Sequence, residues 1–276
     1  MRLTVRSILS FLLLFSVTAP YVPASQMTRD ASEPATRAVS CEEDTLSPGG
    51  RAAKDKDEKK LHDSSPLIAL TFDDGPSTKF TNRILDLLEI NGGKATFFVL
   101  GVNIEKHAEV MVRAYSMGCE IGNHTYSHRN LTKLSGDEIR EELSKTDDLI
   151  LELLLEDPKY MRVPACHYNH AVKAAVKMPI ILWSIDTGDW RFGVKRGANT
   201  KQNRRRIVDN VLNKAQDGDI ILMHDIYSFT ADLCEELIPE LRAAGFKLVT
   251  VSELFSQKGI EPKSGNVYYK AKNVDP

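Results

Sequence analysis

From Pro66 onward the chain alternates short apolar, β-branched runs with longer stretches whose apolar residues recur every three or four positions. The runs Leu67–Phe72, Ala95–Leu100, Glu120–Asn123, Tyr160–Val163, Ile180–Ile185, Ile220–Met223 and Lys247–Val251 read as seven strands. Between them lie amphipathic helices. One is predicted from Gly136 to Leu155: Ser135 and Glu138 have capping-box spacing, Ile139, Leu143, Ile150 and Leu154 share a face, and Asp157-Pro158 stops it. An earlier helix should close at Asn91-Gly92-Gly93, because glycine accepts the left-handed conformation without a Cβ clash. Strand and helix in alternation predict an α/β fold, a distorted (β/α) barrel of about seven parallel strands forming a single domain over residues 66–256. An open doubly wound sheet has the same periodicity and stands as the alternative.

The pattern fails at both ends. Residues 1–24 run from basic Arg2 and Arg6 through an apolar stretch, Ile8 to Ala19, to Val22-Pro23-Ala24, small residues suited to cleavage before Ser25. That is the anatomy of an export signal, and it falls short of the roughly 20 apolar residues that span a bilayer. A secreted or envelope-associated protein is expected; an uncleaved anchor would still place the domain outside the cytoplasm. Residues 25–65 are rich in Ser, Asp, Glu, Lys and Arg without apolar periodicity, and read as a flexible charged spacer. Residues 257–276 read as a tail in which Val267-Tyr268-Tyr269 could add an edge strand.

A chain of 276 residues with 42% hydrophobic and 27% charged residues is neither disordered nor a disulfide-built miniprotein. Its net charge of −2 provides no global basic field, so neither nucleic acid nor an anionic membrane surface is an expected partner. A monomer acting on a small or uncharged substrate is expected. Cys41, Cys119, Cys166 and Cys234 form no CxxC pair, and the sequence selects neither a disulfide nor free thiols.

The chemistry-bearing residues collect where the predicted strands end: Asp73-Asp74, His124, Arg162, Asp186 and Asp189, then His224-Asp225. In parallel α/β folds that rim holds the reacting groups. His124 and His128, four apart, would lie on one side of a helical turn and could share a metal. Asp73 or Asp74 could supply a third ligand, and a dication would relieve the repulsion between two adjacent carboxylates; Asp-Gly-Pro is also ordinary turn chemistry.

With five motifs in order, TFDDGP from Thr71, HTYSH from His124, Arg162 with Pro164, DTGDW from Asp186 and ILMHD from Ile221, the chain resembles the polysaccharide deacetylase family with the NodB homology domain, carbohydrate esterase family four. The likeness runs from about Leu67 to Leu254. It implies a metal-dependent hydrolase that removes N-acetyl groups from the hexosamines of a glycan polymer. Asp73 would be the general base, and Asp74, His124 and His128 would hold one divalent metal, Zn²⁺ first, with Co²⁺ or Ni²⁺ accepted by the same donors. His224 would be the general acid, with Asp189 as its carboxylate partner and Asp186 the runner-up. Arg162 would pair with Asp73. Pro164, Ala165, Trp190 and Leu222 would contact substrate, the Ala165 amide facing the developing oxyanion.

The third motif departs from a common family form, Arg-Pro-Pro-Tyr-Gly, because this chain reads Arg162-Val163-Pro164-Ala165-Cys166. An aromatic surface is lost, and Cys166 stands where a turn favours glycine. His167 and His170, just beyond, are candidates for the groove wall. Peptidoglycan is the first substrate implied, then chitooligosaccharide, then acetylxylan. A carbohydrate-binding pseudoenzyme is the reading of another class, resting on the altered motif alone.

Overall fold

The computed structural model describes residues 65–271. The predicted leader, nearly all of the spacer and Cys41 lie outside the described residues.

The organising strand is β1, Leu67–Asp73, buried on both faces from Ile68 to Asp73, as expected of a parallel strand covered on each side. It is flanked by β2, Ala95–Val99, and β6, Asp219–His224, both parallel to it, and near its start by β7, Lys247–Leu248. The sheet continues from β2 to β3, Glu120–Asn123, and from β6 to β5, Ile185–Asp186. Closure on the far side is thinner. Met161 bridges Asn123 and Ile180, β4 (Ile180–Ile181) pairs with β8 (Val267–Tyr268), and Lys270 forms an antiparallel bridge to Asp219 of β6. The ring is complete only through single-residue bridges, which makes it a distorted barrel in a single α/β domain.

The helices are α1 (Phe80–Ile90), α2 (Gly101–Ser116), α3 (Gly136–Leu154), α4 (His170–Ala175), α5 (Trp190–Gly193), α6 (Lys201–Lys214), α7 (Ser228–Ala243) and α8 (Val251–Gln257). Alternation along β1 separates two cores. Ile68, Leu70 and Phe72 face outward into a cluster with α1, α2 and α7, whereas Ala69 faces inward to Phe98, Ile181, Ile220 and Phe255 of α8. Each fully buried Ile, Leu or Phe side chain among them stabilises the fold by about 1.5–3 kcal/mol. The Ser135–Glu138 capping box opens α3 as the spacing predicts, and α1 gives way to Gly92 at φ +59°. Among the described residues no helix is long and apolar enough to cross a membrane.

Three predicted strands are cut short. The run Tyr160–Val163 contributes only the bridge at Met161, and Ile180–Ile185 divides into β4 and β5. The carbonyls of Ile181 and Leu182 accept hydrogen bonds from the Arg162 guanidinium instead of from a neighbouring strand. After β7 the backbone turns into α8, whose capping box is Thr250 with Glu253, so Val251 opens a helix where the run had suggested strand.

Candidate active site

Parallel register sets the floor of the site. Asp73, the last residue of β1, lies opposite Phe98 of β2 and His224 of β6. Asp74 follows at φ +74°, a conformation that turns it away from the strand direction. The next residue must be glycine, because a Cβ on Gly75 would stand 2.2 Å from Asp225 Oδ2.

His124 and His128 do not share a helical turn, contrary to the expectation from their spacing. They sit in a loop after β3 with Thr125 at φ +71° and His128 at φ +61°, their rings 5.1 Å apart. Side chains of neighbouring elements fix that loop. Asn123 Oδ1 accepts from the Thr125 amide at 2.6 Å, and its Nδ2 donates to Leu143 O and Asp147 Oδ1 of α3. Glu142, also of α3, accepts from the Ser127 amide and hydroxyl. His124 Nδ1 donates to Arg162 O at 2.8 Å, which leaves the Nε2 lone pair on the side facing Asp74, available to ligate a cation.

Asp74 Oδ1 lies 3.4 Å from Nε2 of both imidazoles, and the ligand atoms of Asp74, His124 and His128 all fall within 4.8 Å of one another. That oxygen is buried without a hydrogen-bond partner among the described residues. A lone carboxylate oxygen facing two imidazole nitrogens is the donor set of an O/N-coordinated divalent cation, so the residues fit one. Burial pushes the Asp74 carboxyl up, yet the neighbouring imidazoles, His124 first, then His128 and His224, hold it down at about 2.

Asp73 stays apart from this cluster. Its Oδ1 takes a 2.7 Å hydrogen bond from Arg162 Nη1, and its Oδ2 is 3.7 Å from His124 Nε2. Arg162 is fully buried and held on every side: Nε donates to Ile181 O, Nη2 to Leu182 O and Nη1 also to Thr71 Oγ1, while its Cζ lies 4.2 Å over the Phe98 ring. Phe98 can lie there because Gly122 beneath it has no side chain; a Cβ would be 2.6 Å from the ring.

On the opposite flank, His224 Nδ1 meets Asp189 Oδ1 at 2.9 Å, and the His224 amide donates to Asp189 Oδ2 at 2.8 Å. Thr230 and the Trp190 amide complete the shell of this fully buried carboxylate. Burial disfavours the imidazolium, but Asp189, then Asp73 and Asp74, outweigh it and lift His224 to about 9. Asp186 is exposed and among the described residues accepts only from the Gly188 amide, so the geometry pairs His224 with Asp189 and not with the runner-up.

Asp73, Asp74, His124, His128, Asp186 and His224 line a cavity of about 380 Å³ whose apolar wall is Ala165, Trp183, Trp190, Leu222 and Tyr227. Trp183 and Tyr227 were not anticipated; Trp183 reads as core within an apolar run, and Tyr227 lies just beyond the fifth motif. Pro164 is buried under the turn and does not line the cavity, and neither do His167 and His170, which are exposed. Ala165 and Cys166 take φ +50° and +59°, so the turn keeps its left-handed form with neither residue a glycine. The amides of Cys166 and His167 are tied back to Val163 and Pro164 carbonyls; that of Ala165 has no partner among the described residues. Cys119, Cys166 and Cys234 are free thiols. A larger cleft, about 560 Å³, lies elsewhere around Glu120 and Ser252, but Glu120 is already hydrogen-bonded to Thr96 and Ser252.

Comparison with known proteins finds relatives along most of the described domain. The polysaccharide deacetylase family model matches residues 60–180. A Bacillus subtilis peptidoglycan-N-acetylmuramic acid deacetylase is 40% identical over 197 residues, which are 71% of this chain and only 40% of that protein's length. A Bacillus cereus peptidoglycan-N-acetylglucosamine deacetylase is 38% identical, with 68% of each chain covered. Among solved structures, a family 4 acetyl xylan esterase from Clostridium thermocellum, in complex with a cobalt ion, superposes with a TM-score of 0.67 at 30% identity over 74% of this chain and 98% of its own. With the barrel, the ordered motifs and these likenesses in agreement, the chain belongs to the polysaccharide deacetylase family.

Proposed function

We propose that the domain is a divalent-metal-dependent deacetylase that cleaves N-acetyl groups from hexosamines of peptidoglycan, releasing acetate and a free amine. The observation that carries this reading is the convergence of Asp74, His124 and His128 in one cavity with Asp73 and His224 on opposite flanks. A divalent cation held by those three residues would acidify a water molecule and polarise the acetyl carbonyl. Asp73, aimed by Arg162, takes the proton as water adds to the carbonyl carbon. Charge grows on the carbonyl oxygen, toward which the Ala165 amide can donate. His224, held as imidazolium by Asp189, gives its proton to the amine nitrogen as the carbon–nitrogen bond breaks. Trp190, Leu222 and Tyr227 take the acetyl methyl and exclude bulk water.

Zinc is the proposed ion, since a carboxylate with two imidazoles suits it; cobalt and nickel suit the same donors. Peptidoglycan is favoured by the two peptidoglycan-acting relatives, and a cleaved leader would deliver the domain to that polymer outside the cytoplasm. The proposed organisation is leader 1–24, spacer 25–65 and a catalytic domain that begins at 66 and, beyond the sequence boundary at 256, takes in the segment through Ala271, because β8 and Lys270 help close the ring. Acetate release from defined peptidoglycan, chitin and acetylxylan fragments, with and without chelator, tests the reading. Release from peptidoglycan fragments that stops on chelation supports it, and a fully metallated domain that binds glycan without releasing acetate would overturn it.

A further inference from the structure

On one side the pocket wall ends in a single exposed methyl group, that of Ala165. A pocket this size accommodates one acetamido sugar, so the adjoining units of a polymer must be held outside it. Three residues further along, the Tyr168 ring packs against the core cluster of Leu131, Met161 and Val163, and its hydroxyl reaches outward. There it lies 3.0 Å from the hydroxyl of Tyr269. Tyr269 comes from the far end of the chain, directly after β8. Tyr268, buried with 5% exposure, points into the barrel, and Tyr269, 48% exposed, points out, as alternation along an extended segment requires. Tyr168 follows the Pro164–Cys166 turn by two residues and packs with Cys166 against the same core cluster, so the tyrosine pair sits beside the turn that carries Ala165.

Two phenols joined by one hydrogen bond use one O–H between them. The second O–H and the remaining lone pairs are available to a ligand, beside two aromatic faces that are partly or half exposed. A pyranose ring has the matching character: apolar C–H faces bordered by hydroxyl groups. Aromatic side chains bind such amphipathic surfaces with little loss of rotamer freedom, and a Tyr hydroxyl supplies the polar handle.

We propose that Tyr168 and Tyr269 form an auxiliary sugar-binding subsite that holds the glycan unit adjacent to the residue seated in the pocket. The subsite extends the deacetylase reading above and rests on it for the direction of the chain. It makes the segment after Gln257 part of substrate recognition as well as of ring closure. Longer oligomers should therefore be better substrates than short ones, and the gain should depend on Tyr269.

The test uses the full chain with its metal and N-acetylglucosamine oligomers of two and six sugars. In Tyr269→Ala the ratio of kcat/KM on the hexamer to that on the dimer should fall about tenfold, mostly through KM. Tyr269→Phe, which keeps the ring face, should retain most of the ratio. Tyr269→Gln reads the same quantity should the alanine variant fold poorly. An unchanged ratio in Tyr269→Ala overturns the subsite. Failure of the wild type to release acetate from any oligomer or peptidoglycan fragment would instead sink the deacetylase reading. The subsite would then be judged by direct hexamer binding, where equal affinities of wild type and Tyr269→Ala overturn it and a tenfold loss supports it.

Discussion

Replacing Asp73 by asparagine should damage the fold as well as the chemistry, and the two losses can be measured separately. Side-chain exposure is 0% for Arg162 and 5% for Asp73, so solvent does not screen this pair as it screens a surface ion pair. Asparagine is nearly isosteric and its Oδ1 can still accept from Arg162 Nη1, so the substitution removes the charge while keeping the contact. A buried guanidinium left without its anion costs about 3–5 kcal/mol, and the surviving hydrogen bond places Asp73→Asn near 3. For a domain of about 200 residues that is a drop in Tm of roughly 6–12 °C. Arg162→Met removes the cation but strands the carbonyls of Ile181 and Leu182, about 1–3 kcal/mol each, and leaves Asp73 without its cation. The double variant keeps the carbonyl loss and discards both charges. It should therefore be more stable than the sum of the single losses predicts, with a coupling of about 2 kcal/mol or more. Urea titrations in chelator, which removes any contribution from a bound ion, measure it. Additive losses, with coupling under about 0.5 kcal/mol, would refute the claim that Asp73 is what makes a buried Arg162 tolerable. Turnover of the metal-loaded Asp73→Asn variant should fall by roughly 10²–10⁴ whatever the melting data show.

Asp74→Ala should abolish metal-dependent acetate release. The wild type, by contrast, should gain about 2.7 kcal/mol when the ion is supplied at a hundred times its Kd, a shift visible in thermal melts and absent from the variant. Asp189→Asn should move the alkaline limb of the kcat profile down by a pH unit or more. His224 acts as imidazolium, so activity persists below its pKa and is lost as pH rises through it, and Asp189 is the main group lifting that value to about 9. An alkaline limb that stays put at equal metal loading would assign the acid elsewhere. Asp147, which anchors Asn123, is pushed up to about 6 by burial, with Asp157 and Asp148 adding to the effect against the Asn123 hydrogen bond. A raised carboxylate pKa favours the fold below the unfolded value near 4, and that contribution is lost as pH rises through about 6. Asp147→Asn should therefore stabilise the domain by about 1 kcal/mol at pH 7, discounted for partial exposure, and by nothing at pH 3. Denaturant midpoints at the two pH values check it.

The parts of the fold legible in the sequence were those that local rules govern. Ser135 with Glu138 opened α3, Gly92 followed α1, and the apolar runs at Leu67, Ala95, Glu120 and Ile220 became the central strands. The far side of the ring was not legible, because Arg162 intercepts the carbonyls that would have extended the strand from Ile180 to Ile185. A charged side chain substituting for a ladder partner has no periodic signature. The same limit applied at the site. Motif order put Asp74, His124 and His128 together on paper, but the four-residue spacing suggested a helical turn, and the real loop depends on Asn123, Glu142 and Asp147, two of them from a helix some twenty residues away. Trp183 escaped because an aromatic inside an apolar run reads as core whichever way it faces.

Backbone conformation explains why local rules fail at that rim. Six non-glycine residues among those described have positive φ, and five of them, Asp74, Thr125, His128, Ala165 and Cys166, lie at or beside the cavity. Each such conformation costs about 1–3 kcal/mol, and it persists only where the surroundings over-determine it. At three of the positions they do so with buried or partly buried bonds: Asn123 Oδ1 accepts from the Thr125 amide, Thr125 Oγ1 accepts from the His128 amide, and Asn103 Nδ2 donates to the Asp74 carbonyl. Glycine would relieve the strain at every one of these positions but would provide no carboxylate at 74 and no imidazole at 128. The side chain is therefore retained where the φ rule would remove it. The Asn123 anchor should consequently matter to ligand geometry more than its distance from the chemistry suggests, since it holds the Thr125 backbone, whose hydroxyl in turn holds the His128 amide, and no local preference would place either residue there.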